Sequence, residues 1–529
     1  MEQNDLLNER TCENTIREFC KERTHNHAND SEICEKKIEW KPFLRQVLVC
    51  SSVWVSYFML GLSMGAPTVF IPQIKKEANS TNVIDQEMTS WLSSLIPYSG
   101  MLGSFILPAL SQLAGRRMTF LILASSSLVG FIIFLVSTTI RDLLLSLAMY
   151  GLLVTSSYTI LPIIVTEYTS PRYRGIFLTL KTASFYWGIW ASNAIGTFFY
   201  WKNIGYFGIC CNIFVFITGF CWYESPYWLA TKGRYKECIE SHRKLKGCSS
   251  DAEKELQELL DSQKYDSLEI TSDNPNSKLW KCRLVENFIK TMRDEQYYKP
   301  TLVSLLLVLL YQSSGKMACT IYAIELIKKI TDSESTAYKG MLILDGVTVF
   351  GMYMGCISSR FLKRRTLMLC CSTSGVFFLL ILSLYLYLIK QGVIAESSVM
   401  SILLLTFYQL SISCGPIMLA SSMYSEMAPT KYMSYSMFAM GFFTGFVMAT
   451  VIKNSPLIFV KLGLHNAFLI YGICGGICTI FVYKYLPETK DKTIHEISEY
   501  FKTSRKEAKE LISRTRYNRN KIDKSEEQM

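Results

Sequence analysis

Long apolar runs almost free of charge dominate this sequence, and they fall into two groups separated by one polar interval from Tyr223 to Pro300. Each group holds about six runs, most of them near the ~20 residues a helix needs to cross a ~30 Å hydrocarbon layer. Backbone that enters lipid must satisfy its own hydrogen bonds, so runs of this length read as helices. With 50% of residues hydrophobic and only 19% charged, the chain lies outside the range of ordinary soluble enzymes. The expected fold class is an all-α polytopic membrane protein, with twelve transmembrane helices as two six-helix bundles and a helical insert between them.

Charge and cysteine content narrow the function. The net charge is +11, but Lys and Arg collect in the cytoplasmic loops of membrane proteins, so no nucleic-acid partner is implied. The 17 cysteines include no Cys-x-x-Cys pair. Cys210, Cys211, Cys370, Cys371, Cys474 and Cys478 sit in apolar runs and read as small buried hydrophobes. No metal or other cofactor is expected. An enzyme is the least supported class, because no nucleophile, metal or phosphate-loop arrangement stands outside the apolar runs.

The divisions expected are a cytoplasmic tail at 1–42, a first bundle at 43–223, a cytoplasmic loop at 224–300, a second bundle at 301–487 and a basic cytoplasmic tail at 488–529. The first run, Val47 to Phe70, carries Gly61, Gly65 and Pro67, which permit either close helix contact or a local break. No Asp or Glu lies between Pro42 and Ile74. Gly115-Arg116-Arg117 forms a short basic turn that orients this loop, and with it both termini, toward the cytosol. On the other side, Asn79 in Asn79-Ser80-Thr81 is a glycosylation acceptor. In the insert, Ser250-Asp251-Ala252-Glu253 reads as a capping box before a stripe of Leu256, Leu259 and Leu260, giving a short helix against the cytoplasmic mouth. The tail from Lys502 to Lys524 is basic, either a solvated stop or a segment drawn to anionic lipid.

Two marks repeat between the halves. Glu167, six residues before Arg174-Gly175, is answered by Glu426, six residues before Met433-Ser434; Gly115-Arg116-Arg117 is answered by Lys363-Arg364-Arg365. Duplicated bundles of this kind place a site at the midplane between rocking halves.

With Pro162 and Glu167, Arg174-Gly175, Glu224-Ser225-Pro226 with Trp228-Leu229, Gln312 with Ser314-Gly315, and Pro487-Glu488-Thr489-Lys490, the chain resembles a sugar porter of the major facilitator superfamily. Its pattern is similar to that of the insect facilitated trehalose transporters and the animal glucose transporters, from Trp54 to Tyr500. The resemblance implies facilitative transport by alternating access of a sugar, trehalose or a hexose, in the cell membrane, by a protein that works as a monomer among lipid. It also implies a cytoplasmic gating network of Arg116, Arg117, Glu167, Arg174, Glu224, Arg364, Arg365 and Glu426. Gln112 and Tyr227 depart from that set in the first half, and Arg360-Phe361 and Met433-Ser434 in the second, which weakens the expected latch.

The substrate-site positions expected are Thr182, Trp187, Tyr311, Gln312, Thr348, Ser421 and Thr444, with Lys316 added for its depth in the seventh run. Several depart from the amide and Trp contacts usual in the family: Tyr311 replaces Gln, Met317 replaces Asn, Thr348 replaces an amide, and no Trp follows Trp280. Lys316 is the notable addition, since an ionisable group at membrane depth marks a functional site. It is expected to pair with Asp345 or Glu325, to meet an anionic substrate, or to reach water where the seventh helix unwinds. Lys181 is expected to snorkel to the interface. Because the first run lacks a carboxylate, uniport rather than proton symport is expected. Two other classes stay open: a non-transporting sugar sensor or scaffold with the transporter fold, and a porter for an organic anion.

Overall fold

The computed structural model describes residues 40–78, 84–270, 292–331, 334–395, 397–427, 433–490 and 500–501, and every regular element among them is helical. The first half runs through α1 (Trp40–Glu77), α2 (Gln86–Ala114), α3 (Arg116–Val136), a broken span of α4 (Ile140–Met149), α5 (Gly151–Tyr158) and α6 (Ile160–Tyr168), then α7 (Pro171–Phe198) and α8 (Asn203–Phe220). The insert holds α9 (Pro226–Thr231), α10 (Tyr235–Lys246) and α11 (Ser250–Ile270). The second half begins with a span broken into α12 (Glu295–Ser313), α13 (Lys316–Ile321) and α14 (Ala323–Thr331), followed by α15 (Glu334–Phe361) and α16 (Arg364–Lys390). A span of α17 (Ser398–Ile412), a π turn at Ser413–Ile417 and α18 (Met418–Met427) comes next, and α19 (Met433–Lys461) and α20 (Leu464–Tyr485) close the bundle.

Eleven described helical stretches are long and apolar enough to cross a membrane. The 28-residue α7 is long enough but less apolar, because it carries Lys181, Ser192 and Asn193, all buried against protein. Large apolar side chains such as Leu102, Ile217 and Ile480 stand exposed on the outer faces, as expected where the solvent is hydrocarbon. Cys210, Cys370 and Cys474 share those exposed faces, whereas Cys478 is buried, so the expectation of uniformly buried cysteines holds only in part.

The small residues of α1 serve close contact and not a break. α1 packs along α7 so tightly that a Cβ at Gly61 would overlap the Phe185 carbonyl oxygen, and one at Gly188 would overlap that of Phe58. This crossing gains dispersion contact that larger residues would prevent. A break does occur in the seventh span. Gly315 adopts φ +76°, a conformation that glycine reaches without strain, and Lys316 starts the next helix.

The two halves repeat one device at the end where the arginines cluster, termed here the basic end. Glu224 accepts from the backbone N–H of Arg116 (2.8 Å) and Arg117 (3.3 Å), capping the start of α3. Glu488 does the same for Arg364 (3.1 Å) and Arg365 (3.2 Å) at the start of α16. Arg117 then donates to the Phe220 carbonyl and Arg365 to the Tyr483 carbonyl, each at 2.6 Å. A carboxylate at a helix N-terminus satisfies orphan N–H groups and complements the dipole. The duplication read from the basic turns therefore extends to their acidic partners.

The insert is docked to the first bundle. Trp228, Leu229, Cys238, Leu256 and Leu259 form its own small core. Trp228 donates to the Gln112 carbonyl at 2.9 Å, and Gln46 of α1 donates to the Leu245 carbonyl at 2.9 Å. The capping expectation shifts by one residue: α11 begins at Ser250, with Ser249 Oγ facing the Ala252 N–H at 3.4 Å, while Glu253 pairs with Arg243 at 2.7 Å. Asn79 and the tail beyond Phe501 lie outside the described residues.

Two outcomes follow from this packing. Gly61→Ala is expected to cost about 1–3 kcal/mol through overpacking, read as a lower melting midpoint in detergent; Gly346→Ala, which meets nothing within 4 Å, is the silent control. In the insert, burial lowers the His242 pKa from 6.5 to about 4. The unfolded chain therefore binds the proton more strongly, and the packing of the insert weakens as pH falls from about 6.5 toward 4. Hydrogen exchange in α10 and α11 should rise at about pH 5 relative to about pH 7.5, and His242→Leu should remove that rise.

Candidate functional site

Between the two halves lies a cavity of about 710 Å³. α1 and α7 supply Tyr57, Lys181, Thr182 and Tyr186 from the first half; α12 and α18 supply Tyr311, Ser421 and Tyr424 from the second. Two hydroxyl pairs join its walls: Thr182 with Ser421 at 3.1 Å, and Tyr186 with Tyr311 at 2.8 Å. Bonds between neutral hydroxyls are worth only about 0.5–1.5 kcal/mol net, so a polyol can replace them at little net cost. No Asp or Glu is among the described residues lining the cavity.

A second cavity, of about 490 Å³, shares Tyr158 and Tyr424 with the first and extends toward the basic end through Thr166, Pro300 and Thr301. At the opposite end the halves are tied. Ser90 donates to the Lys453 carbonyl at 2.6 Å, Gln86 to that of Pro456 at 3.1 Å, and the Lys453 ammonium sits 3.8 Å over the Trp91 ring. Asn193 of α7 also donates to Asp345 of α15 at 2.6 Å.

Of the expected substrate positions, Thr182, Tyr311 and Ser421 meet at the central cavity. The others do not line it. Trp187 is 40% exposed and donates to Tyr353 at 3.1 Å on the outer surface. Thr444 is buried with its hydroxyl unpartnered, and Gln312 is buried with both amide atoms unpartnered among the described residues. Lys316 and Thr348 belong to a separate polar knot. There the Lys316 ammonium donates to Thr348 Oγ1 at 2.7 Å and to Gln409 Oε1, with no exposure at all.

This corrects two expectations about the lysines. Lys316 forms no ion pair with Asp345, whose carboxylate is taken by Asn193, nor with Glu325, which is exposed. Although the helix unwinds just before it, Lys316 stays buried, because Thr348 and Gln409 from two neighbouring helices close over its ammonium. Lys181 does not snorkel. It lies ten residues into α7, about 15 Å along the axis, too far for its stem to regain the interface, and it is 1% exposed. The length of α7, extending back to Pro171, is the signal that places Lys181 at depth; gauging its position from the apolar run alone made it a helix-end residue. The cavity tyrosines Tyr57, Tyr186 and Tyr424 were missed because aromatic residues in apolar runs carry no distinguishing pattern.

The expected gating residues gather at the basic end. Arg116 makes a bidentate pair with Glu167, at 2.9 and 3.0 Å, and Ser225 also donates to Glu167. Arg174 donates to the Thr166 carbonyl at 3.1 Å instead of joining that pair. The Glu426 side chain lies outside those described. Among the described residues no ion pair bridges the two halves; each pair found there stays within its own half or the insert. Glu167→Gln is expected to lower stability by about 1–3 kcal/mol by leaving a largely buried Arg116 under-satisfied. Arg234→Gln, whose pair with Glu237 is half exposed, should leave the melting midpoint unchanged.

Comparisons with known proteins agree with this architecture. Residues 10–501 match the family model described as "Sugar (and other) transporter". The chain is 24% identical over 472 residues to the facilitated trehalose transporter Tret1 of Apis mellifera ligustica, covering 88% of this chain and 90% of the relative. It is 25% identical over 478 residues to the protein of that name from Bombyx mori, with coverages of 89% and 90%. Among solved structures, the proton:xylose symporter XylE bound to 6-bromo-6-deoxy-D-glucose superposes with a TM-score of 0.68 at 15% identity, over 85% of this chain and 99% of that one. The fold is thus that of the major facilitator superfamily.

Proposed function

This chain belongs to the sugar transporter family, and from that premise we propose that it carries a sugar of hexose or trehalose size across the cell membrane by alternating access. The observation that supports this most directly is the central cavity itself. It lies where the halves meet, its walls are held together by exchangeable hydroxyl pairs, and a sugar entering it would exchange water hydrogen bonds for those of Thr182, Ser421, Tyr186 and Tyr311. The trehalose transporters among its relatives supply the second support.

Transport is facilitative in this reading. Neither α1 below Ile74 nor the described cavity lining offers a carboxylate to take up a proton with the substrate. The divisions at 43–223 and 301–487 act as the two rocking bodies, and the basic end faces the cytosol together with the insert and both termini. The glutamate caps and the Arg116–Glu167 pair keep the helix ends of each bundle together while one bundle moves against the other. Asn79 is glycosylated outside, the protein works as a monomer in lipid, and no step involves catalytic chemistry.

Uptake of a labelled panel of neutral sugars and their acids into oocytes with confirmed surface expression tests this. At least one sugar should enter saturably and without change on addition of a protonophore. Thr182→Val and Tyr311→Phe should each reduce its uptake about 2- to 10-fold, the worth of one hydrogen bond. Failure of every sugar would overturn the transport reading, and dependence on a pH gradient would overturn uniport.

A further inference from the structure

We propose that Lys181 is the recognition group for a substrate carboxylate, so that the sugar carried through the central cavity is a monoanionic sugar acid of the hexuronate class; the inference rests on the transport reading above. Lys181 is 1% exposed and lines the cavity. Its ammonium stands 5.5 Å from the centre of the Tyr57 ring on α1 and 5.8 Å from that of Tyr424 on α18, so it is framed by both halves. Among the described residues it has no hydrogen-bond partner and no ion pair, and the described cavity lining contains no carboxylate.

The contrast with Lys316 gives this its force. Both lysines are buried at membrane depth, but Lys316 is met by Thr348 and Gln409, as a structural lysine must be. Lys181, which lines the cavity, has three donors that no described residue meets. Two ring faces at these distances offset only part of the cost of an uncompensated buried charge. A partner that enters the cavity with the opposite charge removes the rest.

The chemistry of that partner follows from what surrounds the ammonium. One positive charge with no Arg beside it balances a carboxylate and leaves a phosphate dianion under-compensated. The adjacent residue Thr182, its partner Ser421, and the Tyr186–Tyr311 pair offer hydroxyls to a polyol, and the tyrosine rings offer flat apolar faces to a pyranose. A pyranose bearing a carboxylate uses all of these at once. A neutral sugar offers the ammonium only hydroxyl oxygens and no opposite charge, the weaker of the two interactions.

The test uses the purified full-length protein in proteoliposomes, with labelled glucuronate and labelled glucose as probes, for wild type, Lys181→Arg and Lys181→Met. Wild type should take up glucuronate saturably and prefer it to glucose about tenfold or more, the worth of one charge-assisted hydrogen bond. Lys181→Arg should keep the preference, and Lys181→Met should bring the ratio toward one. In detergent, glucuronate but not glucose should raise the melting midpoint of the wild type, a readout that needs no variant. If glucose or trehalose crosses while glucuronate neither crosses nor competes, this inference is wrong and the transport reading stands. If Lys181→Met retains the preference, Lys181 is not the recognition group. If no sugar of either kind crosses, both readings fall together.

Discussion

A polar group at membrane depth has no water to turn to, so it must find its partner inside the protein or wait for one to arrive. That constraint shapes most of this molecule. It dictates helices throughout the spans, and it explains why the break at Gly315 occurs in the interior and not on a lipid-facing surface. It also separates the two buried lysines into one that is satisfied and one that is not. Where the chain leaves the apolar layer, the same requirement puts a glutamate over the orphan N–H groups of α3 and another over those of α16.

The paired caps show what a duplicated bundle has to preserve. In each half a short basic turn starts a helix, a carboxylate from a later loop holds its first N–H groups, and the second Arg reaches a carbonyl near the end of the last helix. Each bundle is thus tied to itself at the basic end, with no described ion pair running across to the other. The halves meet instead through hydroxyl pairs, the Asn193–Asp345 bond and the bonds of Ser90 and Gln86 to carbonyls of α19. Bonds of this modest strength suit surfaces that separate and rejoin, as rocking bundles require.

The central cavity was only partly legible beforehand. Thr182, Tyr311 and Ser421 come together because helical spacing and a family pattern constrain which side of each helix faces inward. Trp187 and Thr444, placed by the same reasoning, point elsewhere. An error of one residue turns a helix position by about 100°, enough to carry a side chain from the cavity to lipid. Lys181 was misjudged for a related reason. Its depth depends on where α7 begins, and polar residues at that end hid the helix from a hydropathy reading.

Length of apolar run, basic turns and the single polar interval determined, by themselves, that the chain is a membrane protein of two similar helical halves, because the cost of exposing backbone or charge to hydrocarbon is set by composition along the chain. Which lysine is paired, which hydroxyls face one another, and that Glu488 repeats the work of Glu224 were decided only by tertiary structure. These depend on contacts between residues such as Lys316 and Gln409 that are distant in sequence, where the packing of several helices, and no local pattern, chooses the partner.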